Sequence, residues 1–266
     1  MSVTFGFIGC GNMGGALAKA VSKADFEKEI RLYDLDENKA QSLAYEVSGE
    51  VTDIQTIAKE CKYIFIGVKP QVIADCLDSI KNSLAESKQN PIIVSMAAGV
   101  AVSDIKRMSG IDSVIRIMPN MPVSVGSGVV LATSDGASVE DKATFEKSMI
   151  QAGMFDWLDE KFIDAASALS GCGPAFVYMF AQALADGAVA CGLPRDKAIL
   201  YAAGTLRGAA EMILESGKHP EKLKDDVCSP GGSTIMGVKA LEDEGMRGAA
   251  ISAVIAAYNR TKELGK

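Results

Sequence analysis

The sequence has only one histidine, His219, and its six cysteines include no Cys-x-x-Cys pair. Most zinc sites and activated thiols are built from these side chains, so their scarcity argues against a metal centre and against a cysteine nucleophile, which usually needs a nearby base. We expect no metal, and we expect reduced thiols in a cytoplasmic protein. The cysteines are Cys10, Cys61, Cys76, Cys172, Cys191 and Cys228.

Positive charge is also scarce. The chain has 27 Lys and Arg against 34 Asp and Glu, a formal net charge of -7, and no basic cluster. Nucleic-acid binding requires clustered Lys and Arg, so no nucleic-acid partner is expected. The short apolar N-terminus runs directly into glycines, so no signal peptide is expected either. Chemistry on a small molecule is favoured.

One uncharged stretch, residues 165–185, is long enough to be compared with a membrane span. It is rich in Ala, Ser and Gly, contains Pro174, and is bracketed by Asp164 and Asp186, so it is only weakly apolar. We expect a helix buried between subunits and no membrane partner.

Residues 1–160 alternate short β-branched runs with helical patterns, which is typical of a mostly parallel sheet with helices on both faces. Only helical patterns follow residue 160, and many of their residues are small and apolar. A helical domain of about a hundred residues could not bury all of these side chains by itself. The predicted fold class is α/β, with an N-terminal Rossmann-like doubly wound domain over 1–160 followed by an all-α dimerisation and substrate-binding domain over 161–266. Pairing with a second copy of the chain is expected. Strands are predicted at 3–8, 30–34, 63–67, 91–95, 113–117 and 128–131, and the later helices at 162–190, 195–216, 220–227, 235–243 and 247–263.

The segment 9–14, Gly-Cys-Gly-Asn-Met-Gly, matches the G-x-G-x-x-G pattern between the first predicted strand and a helix. In that context Gly9 makes the tight turn, Gly11 lets the backbone approach a pyrophosphate, and Gly14 lets the helix pack on the strand. The alternative is a glycine-rich turn without a ligand. The cofactor-binding residues predicted here are Ile8, Gly9, Gly11, Asn12, Met13 and Gly14.

Asp34 ends the second predicted strand, where an acidic side chain accepts hydrogen bonds from the adenosine ribose of NAD. A 2′-phosphate would meet this carboxylate without an arginine, because Arg31 comes earlier on the strand and Leu35 is apolar. Charge therefore favours NADH over NADPH. Alternatively, Asp34 or Asp36 caps the helix that follows.

Further motifs follow the later strands and lie between the later helices. They are Gly67-Val68-Lys69-Pro70-Gln71, Ser95-Met96-Ala97-Ala98-Gly99-Val100, Arg116-Ile117-Met118-Pro119-Asn120-Met121-Pro122, Leu169-Ser170-Gly171-Cys172-Gly173-Pro174-Ala175, Ala183-Leu184-Ala185-Asp186-Gly187-Ala188 and Ser229-Pro230-Gly231-Gly232-Ser233-Thr234. Together these motifs resemble pyrroline-5-carboxylate reductase over almost the whole chain. The resemblance implies reduction of 1-pyrroline-5-carboxylate to L-proline by NAD(P)H, the last step of proline biosynthesis.

The resemblance also implies an interleaved dimer, often assembled into rings that are commonly decamers, with each pocket completed by two subunits. Many relatives that favour NADPH carry Asn-Arg-Ser or Asn-Arg-Thr where this chain has Asp34-Leu35-Asp36, and this departure weakens an NADPH assignment. Lys69 is alternatively an exposed residue before a helix-starting proline. The nicotinamide is expected beside Val68, Lys69, Pro70, Met96, Ala97 and Ala98.

The glycine pair in the segment 229–234 has two interpretations. Free N–H groups at a helix N-terminus can hold the substrate carboxylate without a cation. By resemblance, the Thr234 hydroxyl lies near the ring nitrogen and is the catalytic candidate. Alternatively, Ser233 or Thr234 only caps the helix. The substrate-binding residues predicted are Ser229, Gly231, Gly232, Ser233 and Thr234.

No strong general acid is evident, since His219 lies in a Gly-Lys-His-Pro segment that is typical of a turn. Two other functions are alternatives to imine reduction. A related two-domain reductase of a keto or hydroxy acid would require a Lys or His acid in the helical half, and a non-catalytic NAD-sensing protein would have no use for a second anion loop.

Overall fold

The computed structural model describes residues 2–264, within which eight strands form a single sheet. The strands are β1 (Val3–Ile8), β2 (Lys28–Tyr33), β3 (Glu50–Val51), β4 (Tyr63–Ile66), β5 (Ile92–Ser95), β6 (Val114–Pro119), β7 (Gly128–Asp135) and β8 (Gly153–Trp157). The helices are α1 (Asn12–Ser22), α2 (Glu37–Val47), α3 (Ile54–Glu60), α4 (Ile73–Ala85), α5 (Val102–Ser109), α6 (Val139–Met149), α7 (Glu160–Ser170), α8 (Gly173–Ala190), α9 (Arg195–Ser216), α10 (Pro220–Asp226), α11 (Ser233–Asp243) and α12 (Met246–Leu264).

The strands are ordered β3-β2-β1-β4-β5-β6-β7-β8, and the pairs from β3 to β6 are all parallel. β7 runs antiparallel to β6, and β8 runs parallel to β7. The order reverses between β1 and β4, whose last residues Ile8 and Ile66 are paired. In such doubly wound sheets the ligand crevice lies at this switch point, outside the carboxyl ends of the strands.

The central strands are buried along their whole length because helices cover both faces of the sheet. The aromatic pair Phe7 and Phe65 stacks at a centroid distance of 4.4 Å on adjacent strands, and Phe5 stacks on Tyr63 at 5.1 Å. Two apolar clusters result, one on each side of the sheet. They hold the strand ends at the switch point in fixed positions.

The predicted fold class is confirmed, and the six predicted strands are present. Sequence reasoning missed β3 and α3, which are too short to show a periodic pattern, and also β8, whose residues are half-buried or exposed at the sheet edge. The helix predicted over 162–190 is interrupted at 171–172, so it forms α7 and α8. The strand predicted over 128–131 is longer than predicted, since β7 ends at Asp135.

The second compact unit of the chain, Gly173–Ala256, is entirely helical, and the first unit resumes at Ala257. Within the second unit α8 packs on α9 around Ala185, Ala198 and Ala202. Large apolar side chains nevertheless remain exposed on its helices. These include Tyr178, Met179, Leu200, Leu214, Met236 and Ile251.

The stretch Glu160–Ala190 is long and apolar enough to cross a membrane by length and composition alone. The helices of many soluble assemblies meet the same criterion, because a face covered by a second subunit is as apolar as a core.

Candidate functional site

The first glycine loop lies at the switch point of the sheet. Gly9 has a φ of +105°, and its N–H donates to the Tyr33 carbonyl at 2.8 Å, while the Gly67 N–H donates to the Ile8 carbonyl at 2.8 Å. A Cβ on Gly9 would lie 2.6 Å from the Gly67 carbonyl oxygen, and one on Gly14 would overlap the Gly9 carbonyl oxygen. These two glycines are therefore required by the close approach of the turn, β4 and α1.

Gly11 differs from its neighbours because a Cβ there would meet no protein atom within 4 Å. It is the exposed N-cap residue of α1. Among residues 2–264 no side chain accepts a hydrogen bond from the first-turn N–H groups of α1, so these donors are available to a ligand. Open space, free donors and the positive end of the helix dipole fit a pyrophosphate.

The Asp34 carboxylate is fixed beside this loop by two backbone donors. Oδ2 accepts from the Cys10 N–H at 2.7 Å, and Oδ1 accepts from the Asp36 N–H at 2.9 Å. Asp36 is the N-cap residue of α2 and accepts from the Asn38 N–H at 3.2 Å. Asp36 therefore caps α2, and Asp34 does not. The Asp34 side chain lies half-buried at the edge of the glycine loop.

Positive charge near Asp34 is limited. Arg31 is engaged in ion pairs with Glu60, Glu50 and Glu29, and Leu35 is 94% exposed. Lys39, which sequence reasoning did not single out, lies 3.6 Å from the Asp36 carboxylate. It lines a cleft of about 480 Å³ beside the glycine loop together with Cys10, Gly11, Asn12, Gly15, Ala16, Lys19, Ser42, Leu43, Glu46, Met121 and Ser124.

The expected nicotinamide segments follow β4 and β5, which are neighbouring parallel strands. Lys69, Pro70 and Ala98 are exposed there, while Val68 and Met96 are half-buried. The Ala97 side chain is buried in the apolar core, as is that of Ile8 at the end of β1, so both residues can contact a cofactor only through their backbone. The structure brings the two segments to the same edge of the sheet as Gly9.

The second glycine loop precedes α11 in the helical unit. Gly231 has a φ of +67°, and the Gly232 N–H donates to the Ser229 carbonyl at 3.0 Å. Gly232 is the N-cap residue, and among the described residues no side chain accepts a hydrogen bond from a first-turn N–H group of α11. The interpretation that Ser233 or Thr234 serves as the cap is therefore wrong.

The donors of this second loop are accessible in the described chain. Ser229, Gly231, Ser233 and Thr234 are exposed, and Gly232 is half-buried. The helix begins at Ser233 rather than at the predicted Ile235. This adds the Ser233 and Thr234 N–H groups to its first turn, where an anion can reach them.

Titratable side chains near the two loops do not supply an evident acid or nucleophile. His219 is the N-cap residue of α10, where its Nδ1 accepts from the Glu221 N–H at 3.3 Å. Burial raises the pKa of the Cys10 thiol to about 11, and the neighbouring Asp34 carboxylate adds to this rise. Within residues 2–264, no cluster of His, Cys, Asp and Glu has the arrangement of a metal site.

Comparison with known families gives two matches that together cover most of the chain. Residues 160–264 match the family model described as pyrroline-5-carboxylate reductase dimerisation. Residues 4–99 match the model described as NADP oxidoreductase, coenzyme F420-dependent.

Individual relatives match over nearly their full length. The chain is 40% identical to the pyrroline-5-carboxylate reductase of Pisum sativum, covering 99% of this chain and 96% of that protein. The structure is similar to that of a pyrroline-5-carboxylate reductase from Coxiella burnetii, with a TM-score of 0.91, 30% identity and full coverage of both chains. It is also similar to the Plasmodium falciparum pyrroline carboxylate reductase with NADP bound, with a TM-score of 0.87, 29% identity, and coverage of 99% and 98%.

Proposed function

This chain belongs to the pyrroline-5-carboxylate reductase family and reduces 1-pyrroline-5-carboxylate to L-proline with NAD(P)H, and we propose that two helix N-termini bind the two reactants. The α1 loop takes the cofactor's pyrophosphate, and the α11 loop takes the substrate's carboxylate. The observation that carries this proposal is that each helix begins at an exposed glycine-rich turn with no side-chain cap.

A side-chain cap would occupy a first-turn N–H group of the helix, so its absence leaves donors for a ligand. At α11 the Gly231 and Gly232 turn also keeps Cβ atoms away from the approach to these donors. A carboxylate there gains hydrogen bonds from neutral donors and a favourable interaction with the helix dipole. A cation is not required for binding.

Hydride from the nicotinamide reduces the imine carbon, and the chain's own residues orient the substrate for it. The α11 loop fixes the carboxylate, and the Thr234 hydroxyl oxygen accepts a hydrogen bond from the N–H of the protonated ring nitrogen. The imine nitrogen arrives protonated and gains electron density as the hydride adds, so the reaction proceeds without a strong protein acid. The position of His219 as a helix cap supports this proposal.

NADH is the preferred donor in this proposal. The Asp34 carboxylate is held by the Cys10 and Asp36 N–H groups, so it cannot easily turn away from a 2′-phosphate. It can accept hydrogen bonds from the ribose hydroxyls of NADH. Lys39 attracts a 2′-phosphate, but the Asp36 carboxylate offsets its charge.

The chain self-associates through its dimerisation domain. We assign cofactor binding to residues 1–160, and dimerisation and substrate binding to residues 161–266. The exposed apolar side chains of α8, α9, α11 and α12 support an interleaved dimer, in which one subunit's helices cover another's. Assembly of such dimers into a decamer is part of the proposal and rests on the resemblance to the family. A cytoplasmic location is supported by free thiols at all six cysteines.

The test is a steady-state assay of cofactor oxidation on adding 1-pyrroline-5-carboxylate, with keto acids as control substrates. The proposal expects turnover with the cyclic imine only, and a higher kcat/KM with NADH than with NADPH. A higher kcat/KM with NADPH would refute the role of Asp34. Turnover of keto acids would refute the role of the second loop.

A further inference from the structure

Helix α5 is capped by a residue from a distant part of the chain. Its N-cap residue is Ala101, whose methyl group cannot accept a hydrogen bond. The N–H of Val102, the first residue of α5, instead donates to Oε1 of Glu160 at 2.8 Å. Glu160 is the first residue of α7, so a carboxylate from another element serves the helix N-terminus, where negative charge is favourable.

Glu160 is in turn held by Arg116 on β6. Arg116 is only 4% exposed, and its Nη1 lies 3.2 Å from Glu160 Oε1 while its Nη2 lies 3.0 Å from Asp164 Oδ1. A buried cation requires such partners because it has lost its hydration. Arg116 therefore fixes both carboxylates, but of these two only Glu160 reaches α5.

The capped helix begins directly after the segment 96–101, which follows β5. Ser95 at the end of β5 is paired with Ile66 at the end of β4, so the segment leaves the sheet beside Gly67. It contains Gly99 with a φ of +75°. Its exit into α5 is anchored by the bond from Val102 to Glu160.

We propose that Glu160 is a positioning residue for the cofactor. By capping α5 it holds the segment 96–101 in the conformation that receives the nicotinamide, and Arg116 holds Glu160 in place. This inference rests on the proposed cofactor site, which includes Met96, Ala97 and Ala98.

The test compares Glu160→Ala with Asp164→Ala in the full-length protein. Both substitutions remove one carboxylate from Arg116, but only the first removes the α5 cap. We expect Glu160→Ala to raise the Kd for NADH, measured by fluorescence titration, and the KM for NADH by roughly tenfold. In Asp164→Ala both values stay within about twofold of the wild-type values. The KM for 1-pyrroline-5-carboxylate at saturating NADH is unchanged in both.

A second substitution separates capping from general destabilisation. Ala101 has the extended backbone of an N-cap residue, with a φ of -74° and a ψ of 156°. Ala101→Ser therefore supplies a local cap to α5, and adding it to Glu160→Ala restores the NADH affinity. If Glu160→Ala does not fold, the same comparison is made with Glu160→Leu, which fills more of the space but has no acceptor for the Val102 N–H, alone and with Ala101→Ser.

Three results would overturn the inference. The first is an unchanged NADH affinity in Glu160→Ala. The second is an equal loss of NADH affinity in Asp164→Ala, and the third is no recovery of NADH affinity when Ala101→Ser is added to Glu160→Ala. Gly11→Ala distinguishes this failure from a failure of the proposed function. If Gly11→Ala weakens NADH binding while Glu160→Ala does not, only the inference fails. If Gly11→Ala also binds NADH normally, the proposed cofactor site itself is wrong.

Discussion

The Cys10 N–H donates a hydrogen bond of 2.7 Å to the Asp34 carboxylate, which ties the end of β2 to the glycine loop after β1. In the proposed site, the loop assigned to the pyrophosphate therefore also fixes the side chain assigned to the adenosine ribose. We propose that cofactor choice depends on this pair of residues.

Replacing Asp34 with serine removes the charge and keeps a short polar side chain. Because the repulsion of a 2′-phosphate is lost together with an acceptor for the ribose, we expect the kcat/KM ratio of NADH to NADPH to fall by at least about tenfold, or ~1.4 kcal/mol. Steady-state kinetics with both cofactors measure this ratio. Lys39→Ala is the opposing control. This substitution removes a cation from the same cleft, so the kcat/KM ratio of NADH to NADPH should rise. An unchanged ratio in Asp34→Ser would contradict the account.

The three glycines around α1 should respond differently to alanine. Gly11→Ala places its methyl group in open space, so the thermal midpoint should change little while NADH binding weakens about tenfold or more. The methyl group of Gly14→Ala would overlap the Gly9 carbonyl oxygen, so this substitution should lower both the thermal midpoint and the affinity for NADH. The free energy of unfolding should fall by about 1–3 kcal/mol.

Gly15→Ala is the matched control for this pair. Its methyl group would lie 3.6 Å from the Cys10 carbonyl oxygen, an ordinary contact, so both stability and binding should be retained. Thermal unfolding and fluorescence titration with NADH measure the series. Normal NADH binding by Gly11→Ala would place the pyrophosphate elsewhere.

The Thr234 hydroxyl is tested by Thr234→Ala and Thr234→Ser. Because no side chain caps α11, removal of this hydroxyl should leave the helix intact, and its effect should fall on catalysis. We expect Thr234→Ala to reduce kcat about tenfold or more, with little change in the Kd for NADH. Thr234→Ser should retain most of the activity. Wild-type turnover by Thr234→Ala would remove this residue from the mechanism.

Glu221 on α10 accepts a hydrogen bond from Lys224 of the same helix at 2.7 Å and one from Arg247 at 2.8 Å, and the second links α10 to α12. These bonds, with that of Lys224 the larger cause, lower the pKa of the Glu221 carboxyl from 4.5 to about 2. A lowered pKa in the folded state adds stability above pH 4.5 that is lost as the pH falls toward 2.

The Tm of Glu221→Gln should therefore lie below that of the wild type at pH 7, and the difference should shrink between pH 4.5 and pH 2. The effect should be small and should weaken with salt, because the side chains are half-exposed. Glu244→Gln is the control, since Glu244 forms no ion pair with the residues that the structure describes. If the Tm difference between the wild type and Glu221→Gln grows as the pH falls, the folded state does not lower the pKa of Glu221.

The alternation of strand and helix patterns was sufficient to predict the fold, because buried parallel strands and amphipathic helices leave local periodic signals. The glycine loop could be placed for the same reason, since Gly9 and Gly14 follow β1 at fixed spacing. The break at 171–172 was not predicted, because the surrounding Ala, Ser and Gly residues fit a continuous helix.

Contacts between distant residues left no such signal. The bond between Val102 and Glu160 joins positions 58 residues apart, and the backbone donors on Asp34 depend on how β1 and β2 pair. The missing side-chain cap at α11 was also not predicted, because Ser233 and Thr234 are both residue types that favour capping.

The most direct test of the two-loop site is a crystal structure of the protein with NAD⁺ and L-proline. We predict that the pyrophosphate accepts hydrogen bonds from the first-turn N–H groups of α1, and that the proline carboxylate accepts them from the Ser233 and Thr234 N–H groups. A proline carboxylate bound to a Lys or Arg side chain, with the segment 229–234 making no contact to it, would contradict the account.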